Sequence, residues 1–107
     1  MIKVFISSPY SIGDVAANVR HQIDAADELI VCGYAPYVPL LSHFQHLVHP
    51  QAYRTWMALD HEWLIVCDCL LRLPGISDGA DREVEQARTM GIPVFSTIKG
   101  LRDFYEV

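Results

Sequence analysis

The residues with the most chemical content lie in one stretch, 67–91, which reads C-D-C-L-L-R-L-P-G-I-S-D-G-A-D-R-E-V-E-Q-A-R-T-M-G. It predicts a buried strand ending at Leu73, a tight Pro74-Gly75 turn, a small polar loop, and a helix with Glu83 in its early turns. A carboxylate there sits near the positive end of the helix dipole, which favours the anion by ~0.3–1 kcal/mol. Backbone N–H groups left free at the same helix start can bind anionic or hydroxylated parts of a ligand. Taken alone, the segment fits equally an amphipathic helix whose Glu83 is a solvated charge. A second acid, Asp60, stands in W-M-A-L-D-H-E-W-L. It lies either on the polar side with His61 and Glu62 or turned into a pocket. If both acids face one crevice, they form the pair that breaking a glycosidic bond requires. One group attacks or stabilises the anomeric carbon while the other handles protons or holds the leaving group.

Histidine is the other signal for chemistry. His43, His46 and His49 are spaced by three, and Pro50 with the proline-rich approach makes 40–50 read as an irregular loop. No carboxylate joins them at ligand spacing, so pocket lining, with His43 as the candidate, or plain loop chemistry is preferred over a metal site. Cys32, Cys67 and Cys69 are odd in number and lie in apolar surroundings; two thiols do not complete a zinc site.

The elements that must position these groups alternate. Strands are predicted over 2–7, 34–38, 67–73 and 92–97. Asp14 caps a first helix that Gly33 stops, with Val15, Val19, Ile23, Ala26 and Ile30 as its apolar stripe. Further helices are predicted over 51–66, with Trp56, Leu59, Trp63 and Val66 on one side, and over 79–90, with a short terminal helix or tail over 101–105. Such alternation implies an α/β fold, a small Rossmann-like or flavodoxin-like three-layer sandwich with a mostly parallel sheet of four to five strands. The ligand crevice of such a sheet lies beyond the strand carboxyl ends. The loops there are 7–13, 39–50 and 74–79, rich in serine, tyrosine, histidine and proline.

Composition narrows the class. The 107 residues are read as a single domain, 1–107, and the net charge of −5 argues against a partner of nucleic-acid polymer. No run approaches the ~20 apolar residues that cross a bilayer. The N-terminus enters a strand directly, so a cytoplasmic protein is expected. With 51% hydrophobic residues and a mean hydropathy of +0.19, so small a chain is expected to bury surface in a homodimer or homotetramer. The helix over 51–66, with Tyr53, Trp56 and Trp63, is the expected contact, though both tryptophans can instead pack on their own sheet.

I-S-S-P-Y near the start, W-x-x-x-D in the middle and L-P-G-x-S-x-G-A-x-x-E resemble the nucleoside 2-deoxyribosyltransferase superfamily over nearly the whole chain. The branch it most resembles is the short type known as domain of unknown function 4406. It is similar also to the deoxynucleoside 5′-monophosphate N-glycosidases and cytidine monophosphate hydrolases. The resemblance implies that Glu83 is the nucleophile and that Asp60 positions and protonates the departing base. It implies that Ser8, Pro9 and Tyr10 line the sugar and base pocket. Ser77 and Gly79 belong to the last motif, with Ser77 where the monophosphate hydrolases contact the phosphate. The implied reaction cleaves the N-glycosidic bond of a (deoxy)nucleoside or its 5′-monophosphate, passing the sugar to another base or to water, with no cofactor or metal. Two positions depart from the pattern. Phe5 stands where a tyrosine commonly orients the nucleophile, and 7–13 contains no arginine. These departures motivate an alternative, a catalytically silent nucleotide-binding module.

Overall fold

In the computed structural model, which describes residues 1–106, four short strands form one parallel sheet. They are β1 (Lys3–Ser7), β2 (Ala35–Tyr37), β3 (Cys69–Arg72) and β4 (Val94–Phe95), in the order β2-β1-β3-β4. Five helices accompany them: α1 (Val15–Val31), α2 (Ser42–Val48), α3 (Tyr53–Leu64), α4 (Asp78–Thr89) and α5 (Ile98–Tyr105). No helix is long and apolar enough to cross a membrane among the described residues.

The pleat explains the layers. Successive residues of β1 point to opposite faces. Val4 and Ile6 pack with Ala25, Ala26 and Leu29 of α1 and Leu101 of α5. Phe5 packs on the other side with Leu64 of α3 and with Val84 and Ala87 of α4. Each of the fully buried Val, Leu, Ile and Phe side chains among them contributes ~1.5–3 kcal/mol of transfer free energy. The sandwich is the three-layer α/β fold expected. Because β1 is central and the chain steps from β2 across it to β3, the strand order reverses beside β1. That switch point is where an open parallel sheet leaves its crevice.

Three local expectations are corrected. Residues 40–50 are not an irregular loop: a 3-10 turn, Pro39–Leu41, runs into helix α2. Pro39 sits in the first turn, where its missing N–H costs nothing, and Pro50 lies beyond the end, so neither proline interrupts it. The buried stripe of α1 is Val19, Gln22, Ala25, Ala26 and Leu29, leaving Ile23 41% and Ile30 59% exposed. The last helix begins at Ile98, because the Thr97 hydroxyl caps it by accepting from the Gly100 N–H at 2.9 Å. The Asp14 cap is as expected, its Oδ1 accepting from Ala17 N at 3.2 Å.

Candidate active site

A cavity of about 530 Å³ opens at the carboxyl edge of the sheet beside β1. Ser8 and Tyr10 of the loop after β1 contribute to its wall, as do His43 and His46 of α2, Trp56 and Asp60 of α3, and Ser77, Gly79, Arg82 and Glu83 of the loop–α4 segment. Seven of the eight side chains singled out from sequence therefore share one space. Pro9 is the exception. Its ring packs on the turn after β3, so close that a Cβ on Gly75 would meet Pro9 Cγ at 2.6 Å, and it lines a separate, smaller hollow. Gly75 also holds a φ of +121°, which favours glycine. Gly79 permits another close approach, since a Cβ there would lie 2.8 Å from the Tyr53 hydroxyl oxygen.

Ser77 is the N-cap of α4, accepting from Ala80 N at 3.1 Å. A hydroxyl used in this way as an acceptor keeps its own hydrogen to donate. From that cap the helix carries Glu83 against the end of β1. Glu83 is 6% exposed, and the fully buried Ser7 hydroxyl donates to its Oε1 at 2.7 Å. Burial pushes the Glu83 carboxyl up to about 8, the Ser7 hydrogen bond opposing and neighbouring Asp60 adding to it. The favourable helix dipole expected from sequence is outweighed: it is worth ~0.3–1 kcal/mol, whereas removing a charge from water costs several. Asp60, half-buried across the cavity, is raised by burial to about 6, and its interaction with Glu83 pulls the other way. The two carboxyls are near neighbours that titrate as a pair, with the proton favoured on Glu83.

Ser7 was not singled out from sequence. It shares a face of β1 with Phe5, two residues earlier, and so points a hydroxyl at α4 where Phe5 offers none. Gln22 was missed for a different reason: it lies on the stripe of α1 that the apolar pattern displaced by one residue. Its buried amide donates to Ile6 O at 3.1 Å and to Ser8 Oγ at 2.9 Å, and accepts from Leu40 N at 3.1 Å. One side chain thus ties the loop after β1 to the turn before α2. Because Ser8 accepts from Gln22, its own hydrogen is free for a ligand.

On α2, His43 Nδ1 lies 2.6 Å from the Tyr10 hydroxyl, and His46 Nδ1 lies 2.9 Å from Trp56 Nε1. His49 caps the helix end instead of joining them. No group of three His, Cys, Asp or Glu able to hold a metal ion is present among the described residues. Among the described residues, Arg82 is the one Lys or Arg in the cavity wall. It stands on α4, outside the loop that sequence reasoning searched for a cation. On α3 only Leu64 is buried; Tyr53 is 59% and Trp63 52% exposed, the latter stacked on Tyr37 at 5.5 Å between ring centroids.

Comparison with known proteins assigns the chain to a family. A family model described as a domain of unknown function, DUF7768, matches residues 2–97. This match does not confirm the domain 4406 branch that the sequence motifs resemble. No curated protein matches the chain. Among solved structures, it is similar to the 2-deoxyribosyltransferase of the psychrotolerant bacterium Bacillus psychrosaccharolyticus, a biocatalyst for synthesis of antiviral and antitumoral nucleosides. The TM-score is 0.63 at 20% identity, over 90% of this chain and 75% of that one, a likeness of fold. The chain belongs to the DUF7768 family.

Proposed function

We propose that this DUF7768 member cleaves the N-glycosidic bond of a nucleoside or its 5′-monophosphate through a covalent intermediate on Glu83. The observation that carries the reading is a pair of carboxyls, buried Glu83 and half-buried Asp60, interacting inside one cavity at the switch point of the sheet. Between about pH 6 and about 8 such a pair holds one proton and one negative charge. Those are the two things the first step consumes. In the empty site the proton favours Glu83, so substrate binding has to move it to Asp60. The Glu83 anion then attacks C1′ as the C1′–N bond breaks, and the bond electrons leave with the base, which takes the Asp60 proton. In the second step water or another base attacks C1′, Asp60 removes its proton, and the Glu83–C1′ bond breaks to restore the carboxylate. The residues supply a nucleophile and an acid without a cofactor.

Ser7 supports the nucleophile by donating to its anion, the role that Phe5 leaves open at the position the superfamily gives to tyrosine. Ser77 and Arg82, on one side of the cavity, offer a hydroxyl and a guanidinium to a 5′-phosphate. Both features weaken the motive for a silent binding module, which rested on Phe5 and on a missing arginine. The sensor nevertheless makes a distinct forecast: nucleotide binding with no turnover. Incubating the folded protein with a panel of ribo- and deoxynucleosides and their monophosphates, with and without acceptor base, separates the readings. Released or exchanged base is the expected result. Calorimetric binding without any base release would replace the enzyme reading with the sensor.

A further inference from the structure

His46 differs from the other cavity histidine in a way that fixes its chemistry. Its Nδ1 receives two hydrogen bonds, from the Trp56 indole N–H at 2.9 Å and from the Gln51 backbone N–H at 3.1 Å. Both partners are donors that cannot act as acceptors. A hydrogen on Nδ1 would point into two other N–H groups, so in the neutral imidazole Nδ1 is bare and the hydrogen is on Nε2. His43 has no such constraint, because the Tyr10 hydroxyl opposite its Nδ1 can donate or accept. The remaining nitrogen of His46, Nε2, makes no hydrogen bond to the described residues, and it is not among their buried unpaired atoms. The ring lines the cavity beside Trp56 and Met57, a flat and largely apolar wall suited to a heterocycle.

We propose that His46 is a specificity residue that offers a single, donor-only Nε2–H to a hydrogen-bond acceptor, a ring nitrogen or carbonyl oxygen, on the nucleobase. This assignment rests on the proposed glycosidic reaction only for the identity of the ligand as a nucleobase. A donor with no acceptor capacity selects by asymmetry. A base presenting an acceptor at that edge is bound, and one presenting an N–H there leaves two donors facing each other. The Trp56 indole acts through His46 by setting the tautomer and is a positioning residue.

Two measurements test the assignment. Long-range nitrogen–proton NMR correlations of the whole chain, at a pH where the imidazole is neutral, report the tautomer directly. A bare Nδ1 and a protonated Nε2 on His46 are expected, and the reverse pattern overturns the proposal. Calorimetry then compares wild type and His46→Ala for nucleosides whose base acceptors are removed one at a time as deaza or deoxo analogues. One analogue is expected to bind wild type about 10-fold more weakly than its parent, and to show no such loss with His46→Ala. Strictly additive losses for every analogue, with normal wild-type binding, overturn the assignment and leave the proposed reaction standing. Absence of nucleoside binding by the wild type overturns both. Where His46→Ala does not fold, His46→Gln replaces it, since its amide retains an acceptor for Trp56 while the fixed donor is lost.

Discussion

Glu83 and Glu106 each accept a hydroxyl hydrogen bond of 2.7 Å, from Ser7 and from Tyr34 respectively, and their carboxyls are driven in opposite directions. Glu83 is pushed up to about 8 because it is buried, and the Ser7 bond opposes the shift without reversing it. Glu106 is exposed just past the end of α5, and Arg102 of that helix grips it with Nε at 2.8 Å and a second nitrogen at 3.0 Å, so its carboxyl falls to about 2. A hydroxyl donor alone does not decide the charge state of a carboxyl; water access and a cation do. One glutamate is placed to hold a proton near neutrality, the other to stay charged and fasten the C-terminal helix to Tyr34. Their effects on stability run oppositely with pH. The raised Glu83 favours the fold at low pH and loses that contribution as pH climbs from about 4.5 to about 8. The lowered Glu106 contributes above about 4.5, and its contribution fades as pH falls toward about 2.

Removing the buried member of the comparison has the largest expected effect. Glu83→Ala should lower turnover by about 10⁴-fold while the chain still folds. Glu83→Gln should be equally inactive yet more stable than wild type above pH 8, by about 1–3 kcal/mol, because it removes a charge that burial penalises. Rate assays and denaturant titrations at pH 5 and pH 9 check both halves. Wild-type turnover in either variant would end the nucleophile assignment, and an unchanged pH dependence of stability would mean that Glu83 is not the group holding the proton.

Asp60→Asn comes next, with a loss of about 10²–10⁴-fold in kcat and a smaller change in nucleoside binding, since an amide cannot give a proton to the departing base. In the wild type the profile of kcat/KM against pH should be a bell with limbs near 6 and 8, values that belong to the pair and to neither acid alone. Without Asp60 the bell should lose its shape. A base that leaves without needing a proton should recover most of the rate, and failure of such a substrate to recover it would count against Asp60 as the acid.

Ser7→Ala sharpens the comparison by removing the one bond the two glutamates have in common. The Ser7 donor favours the Glu83 anion, so its loss should move the falling limb of the bell to higher pH. It should also lower the plateau rate by about 10–100-fold, the worth of a hydrogen bond to a charged group. Ser7→Thr, which keeps the hydroxyl, should restore the limb. A Ser7→Ala profile that coincides with wild type would show that burial and Asp60 set the charge of Glu83 without Ser7.

What could be read from the sequence follows from how far apart the cooperating residues are. The β-α alternation and the strand–loop–helix segment around Ser77 and Glu83 are local patterns, and the cap, the turn and the acid follow one another within a few residues. The Ser7–Glu83 bond spans 76 positions, so only the folded sheet brings its partners together. Gln22 was hidden because an amide inside an apolar stripe reads as a surface residue until its three partners are known. Helix α2 was obscured by its flanking prolines, although His43 and His46 already had the spacing that puts two side chains on one helical face. Asp60 was undecidable from spacing, since α3 exposes most of its surface and only the cavity defines which side is inward.

The smallest expected effect belongs to Glu106→Gln, at the exposed end of the comparison. The substitution removes the charge that Arg102 grips and weakens the acceptor for Tyr34. Turnover should not change, because neither Glu106 nor its partners Tyr34 and Arg102 line the cavity. Thermal stability should fall slightly at pH 7, and the acid-side loss of stability between about 4.5 and about 2 should flatten. The Tyr34 phenol, raised to about 12 chiefly by burial and next by its bond to Glu106, should titrate earlier in an ultraviolet pH titration while remaining above an ordinary tyrosine. Burial acts on Tyr34 in both proteins, so the difference between the two titrations isolates what Glu106 contributes. A Tyr34 titration unmoved by Glu106→Gln would leave burial as the whole cause on this face, as it is the main cause at Glu83. The low Glu106 carboxyl would then rest on Arg102 alone.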